Sequence, residues 1–286
     1  MRFEVPVTRT FRQVDVFSPG PLPGNPVAVV HDADSMSDDE MLSFANWTNL
    51  SETTFLLAPR STDADYRLRI FTPARELPFA GHPTLGSAHA WLEAGGRPRH
   101  PGIIVQECEA GLVRVRSAEN RLAFMAPPLT RYENVEPRIM GRLSECLRID
   151  PSDIRDAQWI DNGPGWVGVL LPSAQFVLDL NPDLSLVKAS GLKIGVAGFF
   201  SENPAPADLE VRAFGAGDGS SEDPVTGSLN AGLARWFTDT HRVGHSYSAR
   251  QGTTLGRGGF IHVTRDDEVI WVSGATRTVI SGNLDW

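Results

Sequence analysis

Cysteine is nearly absent from this chain. There are two in 286 residues, Cys108 and Cys146. Two thiols make no disulfide framework, and their neighbours include no metal-ligand spacing. No apolar run reaches the ~18 residues that a membrane-spanning helix needs. Blocks of Lys and Arg are missing too. The net charge is −9 and the isoelectric point about 5.3, which excludes nucleic acid and anionic membrane as expected partners. The first ten residues carry two arginines and a glutamate but no apolar core, so they are not read as a signal peptide. A reducing, cytoplasmic compartment is the expectation. The sequons at Asn46 and Asn49 are then chance matches.

What the chain does have is an ordinary globular composition, 41% hydrophobic and 21% charged, with 27 Gly and 21 Pro spread along it. That spread suits many short strands better than long helices. Strands are expected at Phe11–Phe17, Asn25–Val30, Glu52–Leu57 and Tyr66–Phe71. Three more, at Ile103–Gln106, Leu112–Arg116 and Leu122–Met125, complete the first half. Ser37 is a good N-cap, with Asp38, Asp39 and Glu40 in the first turn of a helix running to about Asn49. A second helix is expected over Pro83–Glu93, closed by Gly95-Gly96. Pro127-Pro128 breaks the pattern, so the halves are placed at 1–127 and 129–276, with a C-terminal strand at about 277–286 returning to the first. The second half is expected to carry a helix over Pro137–Leu147. Strands follow at Trp166–Leu171, Phe176–Leu180, Ile194–Ser201 and Leu209–Phe214, then a helix over Ser228–Thr238. Four strands close the pattern, near Tyr247–Gln251, Phe260–Thr264, Val269–Val272 and Arg277–Ile280.

The halves resemble each other. Glu76-Leu77-Pro78-Phe79-Ala80-Gly81-His82 aligns with Glu222-Asp223-Pro224-Val225-Thr226-Gly227-Ser228, and Gly86 and Ala88 then fall on Gly232 and Ala234. Upstream, Arg69-Ile70-Phe71 faces Arg212-Ala213-Phe214 after a three-residue shift. The spacing is about half the chain, as an internal duplication requires. Each copy places Pro and Gly before a helix. A helix start leaves backbone N–H groups without intrahelical partners and carries a positive partial charge, and glycine lets an anion approach them. If the halves face each other, two such mouths form a cradle for a carboxylate or an enolate-like charge. Plain helix capping is the other reading.

Several side chains cluster around these segments. Glu52 opens an apolar strand. Buried there, its carboxyl would have a raised pKa suited to taking and returning a proton; at a strand edge it would be a solvated carboxylate. His82 is a mouth residue or a capping histidine, Asp223 a site residue or a turn residue. Ser228 is expected to cap the second helix. Arg67, Arg69 and Arg212 alternate with apolar residues and are expected to face solvent.

Four ordered stretches resemble the phenazine-biosynthesis PhzF-like family. They are Asp15-Val16-Phe17 with Gly24-Asn25-Pro26-Val27-Ala28-Val29; Ser51-Glu52-Thr53-Thr54-Phe55; Arg69-Ile70-Phe71-Thr72-Pro73 with Glu76 to Thr84; and Glu222 to Ser228. Gln251-Gly252, Gly256-Arg257 and Gly259 match a later turn. The resemblance implies an α+β, diaminopimelate-epimerase-like fold of two pseudo-symmetric halves, each a β-barrel around a central helix, with the site between them. It implies cofactor-free isomerisation of a small carboxylate such as trans-2,3-dihydro-3-hydroxyanthranilate, in a homodimer. Glu52 would be the acid/base. His82 and Asp223 would bind substrate polar groups and assist proton delivery, and Gly81, Gly227 and Ser228 would supply helix-mouth contacts. The same fold hosts two-thiol racemases and epimerases; the matching positions here are near Ala80 and Thr226, so both thiols are missing.

Three further readings compete. A hydrolase using Ser228 lacks the Gly-x-Ser-x-Gly elbow. Nucleotide binding by Gly215-Ala216-Gly217-Asp218-Gly219 lacks the dinucleotide spacing. A binding protein that keeps the fold without catalysis is the third.

Overall fold

The structure is a computed structural model and describes residues 7–20, 22, 24–118, 121–202, 204–216 and 221–286. The first segment of chain forms β1 (Thr8–Val16), β2 (Asn25–Val30), α1 (Asp38–Thr48), β3 (Glu52–Leu57), β4 (Tyr66–Phe71), β5 (Glu76–Leu77), α2 (Gly81–Glu93), β6 (Ile103–Cys108), β7 (Gly111–Ala118) and β8 (Arg121–Met125). The next forms β9 (Arg131–Asn134), α3 (Pro137–Leu147), β10 (Asp156–Asp161), β11 (Trp166–Leu170), α4 (Ala174–Asp179), α5 (Leu184–Ser190) and β12 (Lys193–Phe199). It continues through β13 (Leu209–Ala216), β14 (Ser221–Asp223), α6 (Gly227–Asp239), β15 (Ser246–Gln251), β16 (Gly259–Asp266) and β17 (Val269–Gly274). A last strand, β18 (Thr276–Asp285), follows. Two compact units result: the chain up to Phe124 together with Gly274–Trp286, and Met125–Ser273.

The two units use one pairing scheme. In the first, β1 pairs antiparallel with β2, β2 parallel with β3, and β3 antiparallel with β4. Strand β4 then holds β5 antiparallel and β6 parallel. In the second, β10, β11, β12 and β13 repeat that order of antiparallel, parallel and antiparallel pairs, and β13 holds β14 antiparallel and β15 parallel. The outer partner of β1 is β18, and that of β10 is β9. Mixed ladders of this kind need helical or long crossovers at their parallel pairs, and α1 and α2 supply two of them in the first unit.

Helices α2 and α6 are the counterparts, and both are buried along most of their length. The shared glycines explain how they come so near the strands. A methyl on Gly86 would sit 2.3 Å from Val27 Cγ1, and one on Gly232 would sit 2.6 Å from the Ile160 carbonyl oxygen. The duplicated arginines are also explained. Arg69 donates from Nε and Nη2 to the two oxygens of Glu76 at 2.7 and 2.5 Å, and Arg212 makes the same fork to Glu222 at 2.8 and 2.8 Å. Each guanidinium lies over the phenylalanine two residues on, Phe71 or Phe214, at 5.0 and 4.9 Å from the ring centre.

Three sequence expectations are corrected. Arg212 is buried and Arg69 largely so, because each has a carboxylate in the next strand and Arg212 also donates to the carbonyls of Val177 and Leu180. Phe176–Leu180 is not a strand but lies in α4 and its C-cap; Ser173 caps the helix through Phe176 N–H, and Gln175 bonds Asp179 one turn on. Helix α6 begins at Gly227 with Thr226 as N-cap, so Ser228 is inside the first turn and caps nothing. By contrast Ser37 and Glu40 form the full reciprocal capping box at α1. Residues 217–219 of the glycine-rich segment lie outside the described residues. Among the described residues no helix is long and apolar enough to cross a membrane.

Candidate active site

In the first unit, β3 and α2 bring two of the singled-out residues together. Glu52 is the first residue of β3, so its backbone is held by the ladder to Val27 while its side chain stands at the strand's open end. His82 is the second residue of α2. Its Nε2 lies 3.2 Å from Glu52 Oε2, with the His82 side chain 5% and the Glu52 side chain 15% exposed. The Glu52 oxygen facing the ring is buried with it, while the Glu52 side chain as a whole stays partly exposed. Burial pushes the His82 pKa down to about 3, so the imidazole is neutral at ordinary pH. On its far side, His82 Nδ1 lies 3.4 Å from Asn25 Nδ2. The proton on the ring is therefore set jointly by the orientation of the Asn25 amide and by the protonation of Glu52.

Asn25 is itself placed by a close approach. A side chain on the preceding Gly24 would fall 2.1 Å from the Val16 carbonyl oxygen and 2.7 Å from Asp15 Oδ1. Gly24 N–H donates to Asp15 Oδ2 at 3.3 Å. Gly-Asn-Pro thus folds tightly over the end of β1. Gly81, the first residue of α2, is buried, and Ala80 at the N-cap offers no side-chain bond to the helix start.

In the second unit, Asp223 ends β14, and Gly227 and Ser228 open α6 just after it. Here too no side chain caps the helix. Thr226 Oγ1 donates to Asp223 Oδ2 at 2.5 Å. Ser228 Oγ accepts from the Trp166 indole at 2.9 Å, and its carbonyl accepts from Asn162 at 2.9 Å. Beneath the turn lies Gln251, fully buried, bonded to Thr226, Asn230 and the Asp223 carbonyl.

Neither cysteine is at a helix mouth. Cys108 ends β6 and Cys146 packs in the core of the second unit; both are buried, and burial raises both thiol pKa values. Ala80 and Thr226 hold the two N-cap positions instead. Three residues that sequence reasoning did not single out, Asn25, Thr226 and Gln251, are the direct partners of those it did. Their signal was present: each is a polar residue inside or beside a motif, and each is buried.

The phenazine biosynthesis-like family profile matches residues 14–283. The chain belongs to this family. Among curated relatives it is 37% identical over 291 residues to antisense-enhancing sequence 1 of Schizosaccharomyces pombe, covering 96% of this chain and 97% of that protein. It is 32% identical over 280 residues to trans-2,3-dihydro-3-hydroxyanthranilate isomerase of Pseudomonas chlororaphis, covering 94% of each. Among solved structures, a PhzF-family protein of Enterococcus faecalis superposes with a TM-score of 0.81 at 24% identity, covering 98% of this chain and 100% of that one. With full-length relatives that are isomerases, this member of the family is an enzyme of the isomerase class, built on the family's mixed α/β sheet.

Proposed function

We propose that the chain is a cofactor-independent isomerase that shifts a proton on a small cyclic or amino carboxylate, with Glu52 as the general acid/base. The observation that carries this reading is the Glu52–His82 pair: the carboxyl of a partly exposed glutamate 3.2 Å from a buried, neutral imidazole at the start of a helix. His82 Nε2, 3.2 Å from Glu52 Oε2, stands where it can orient the carboxyl or exchange a proton with it as Glu52 works. Glu52 takes the proton from one carbon of the substrate and returns it to another, so the enzyme ends unchanged. The N–H groups at Gly81 stabilise negative charge that develops in between. Asp223 assists proton delivery, and Gly227 and Ser228 supply polar contacts at their own helix start. Each unit is further proposed to wrap its strands as a barrel around its central helix; the burial of α2 and α6 supports this.

The relative from Pseudomonas chlororaphis names the first substrate to try. Proton NMR of trans-2,3-dihydro-3-hydroxyanthranilate in D2O is expected to show conversion by the wild type and a loss of at least ~100-fold with Glu52→Gln, the usual scale for removing a general acid/base. Equal rates in the two proteins would remove Glu52 from the chemistry. A second reading, a racemase or epimerase acting on another amino or hydroxy acid, is favoured if this compound is left unchanged while an amino or hydroxy acid exchanges its α-proton for deuterium in a Glu52-dependent way.

A further inference from the structure

The hydrogen bonds around Gln251 have only one consistent arrangement. Its Oε1 faces Thr226 N–H at 3.0 Å and Asn230 Nδ2 at 2.9 Å. Its Nε2 faces the Asp223 carbonyl oxygen at 3.0 Å and Thr226 Oγ1 at 2.9 Å. A backbone N–H can only donate and a carbonyl can only accept, so the amide cannot be flipped. Gln251 therefore donates to the Thr226 hydroxyl. That hydroxyl has one proton of its own, and the Asp223 carboxylate lies 2.5 Å away. With a lone pair already taken by Gln251, the proton points at Asp223 Oδ2.

We infer that Thr226 is a positioning residue for Asp223, its hydroxyl aimed by the locked amide of Gln251. This rests on the proposed role of Asp223 in the site. The glutamine and threonine are among the most enclosed polar groups of the second unit, Gln251 at 0% and Thr226 at 6% exposure, whereas Asp223 is only half-buried. A fixed, buried donor thus holds a carboxylate that reaches the surface. The turn after Gln251 secures the geometry. Gly252 has φ +89°, and a side chain there would strike the Pro224 carbonyl oxygen at 2.6 Å, so the end of β15 lies directly against the Asp223-Pro224 segment. Among the described residues the first unit has no equivalent. Ala80 stands where Thr226 does, and the counterpart glutamine, Gln106, donates to Thr84 and accepts from Tyr66.

The test is the side-chain conformation of Asp223 in the full chain, read from its Hα–Hβ couplings by NMR. Wild type and Thr226→Ser are expected to show two unequal couplings, as a single rotamer requires. Thr226→Val keeps the shape and the N–H but loses the hydroxyl, and its couplings are expected to converge toward the averaged value; Thr226→Ala is expected to do the same. Unequal couplings retained in both the valine and alanine variants would overturn the inference, whatever the substrate. Turnover of trans-2,3-dihydro-3-hydroxyanthranilate separates the two layers of the argument. Thr226→Val is expected to lower it about tenfold, equivalent to ~1.4 kcal/mol, with recovery in Thr226→Ser and no further loss in an Asp223→Asn background. If Asp223→Asn turned over like wild type while the couplings behaved as expected, Asp223 would leave the site and Thr226 would still position it.

Discussion

His82 differs from a surface histidine in a way that a titration shows directly. Buried beside Glu52, it stays neutral down to about pH 3. His31, buried and accepting from Arg12 at 2.8 Å, is lowered to about 4 by burial and by that guanidinium. Both rings recover the ordinary value near 6.5 when the chain unfolds. The unfolded chain therefore binds more protons than the folded one between about pH 6.5 and 4, and stability falls as pH drops through that window. Denaturant midpoints measured from pH 7 to pH 4 are expected to decline, and His82→Gln is expected to flatten the slope. An unchanged slope in that variant would show that His82 is charged in the folded state. At this scale the sequence was informative about identity and silent about partners. The motif order singled out Glu52, His82 and Asp223, but a motif does not say which atoms meet. The assignment of Ser228 as a cap failed because Thr226 starts the helix and the Trp166 indole, some sixty residues upstream, occupies the serine hydroxyl.

Among the elements, the duplication was legible in Gly86/Gly232 and Arg69/Arg212 before any reason for those identities was visible. The reasons are steric and electrostatic. Gly232→Ala adds helix propensity but drives a methyl into a backbone carbonyl that cannot rotate away. It is expected to destabilise by ~1–3 kcal/mol, the usual cost of overpacking, as a lower denaturant midpoint with unchanged m-value. The two Arg–Glu forks should differ. Glu222 and Arg212 are 8% and 7% exposed, so Glu222→Gln leaves a buried guanidinium without its counter-charge, at a cost of ~3–5 kcal/mol. Glu76 is 30% exposed and Arg69 also donates to Asp38, so water and a second carboxylate moderate the loss in Glu76→Gln. Paired unfolding curves check the order, and equal losses would mean that neither burial nor Asp38 sets it. The misreadings at this scale share a cause. Phe176–Leu180 is a short apolar run whose period does not distinguish helix from strand. Arg212 alternates with apolar neighbours as a surface residue does, and the fork to Glu222 on the paired strand, with the Val177 and Leu180 carbonyls, holds it inward.

For the whole molecule, the notable connection is β18. It pairs with β1 over nine residues, from Thr8 opposite Asp285 to Val16 opposite Thr276. The first unit is thus assembled from two stretches far apart in sequence, while the second is continuous from Met125 to Ser273. Removing residues from Thr276 onward would leave one edge of β1 unpaired and strip the contacts of α2 with β18. Such a chain is expected to lose amide-exchange protection in β1, β2 and α2 while β10 to β13 keep theirs; uniform loss would mean that the units do not unfold separately.

The same strand imposes an order on synthesis. While the chain is being made, residues 125–273 can close their ladders as soon as they have emerged. The half that holds Glu52 and His82 must wait for residues 276–285. Until then β1 presents a bare strand edge, and a holdase that shields it would act on the first-made part of the protein rather than the last.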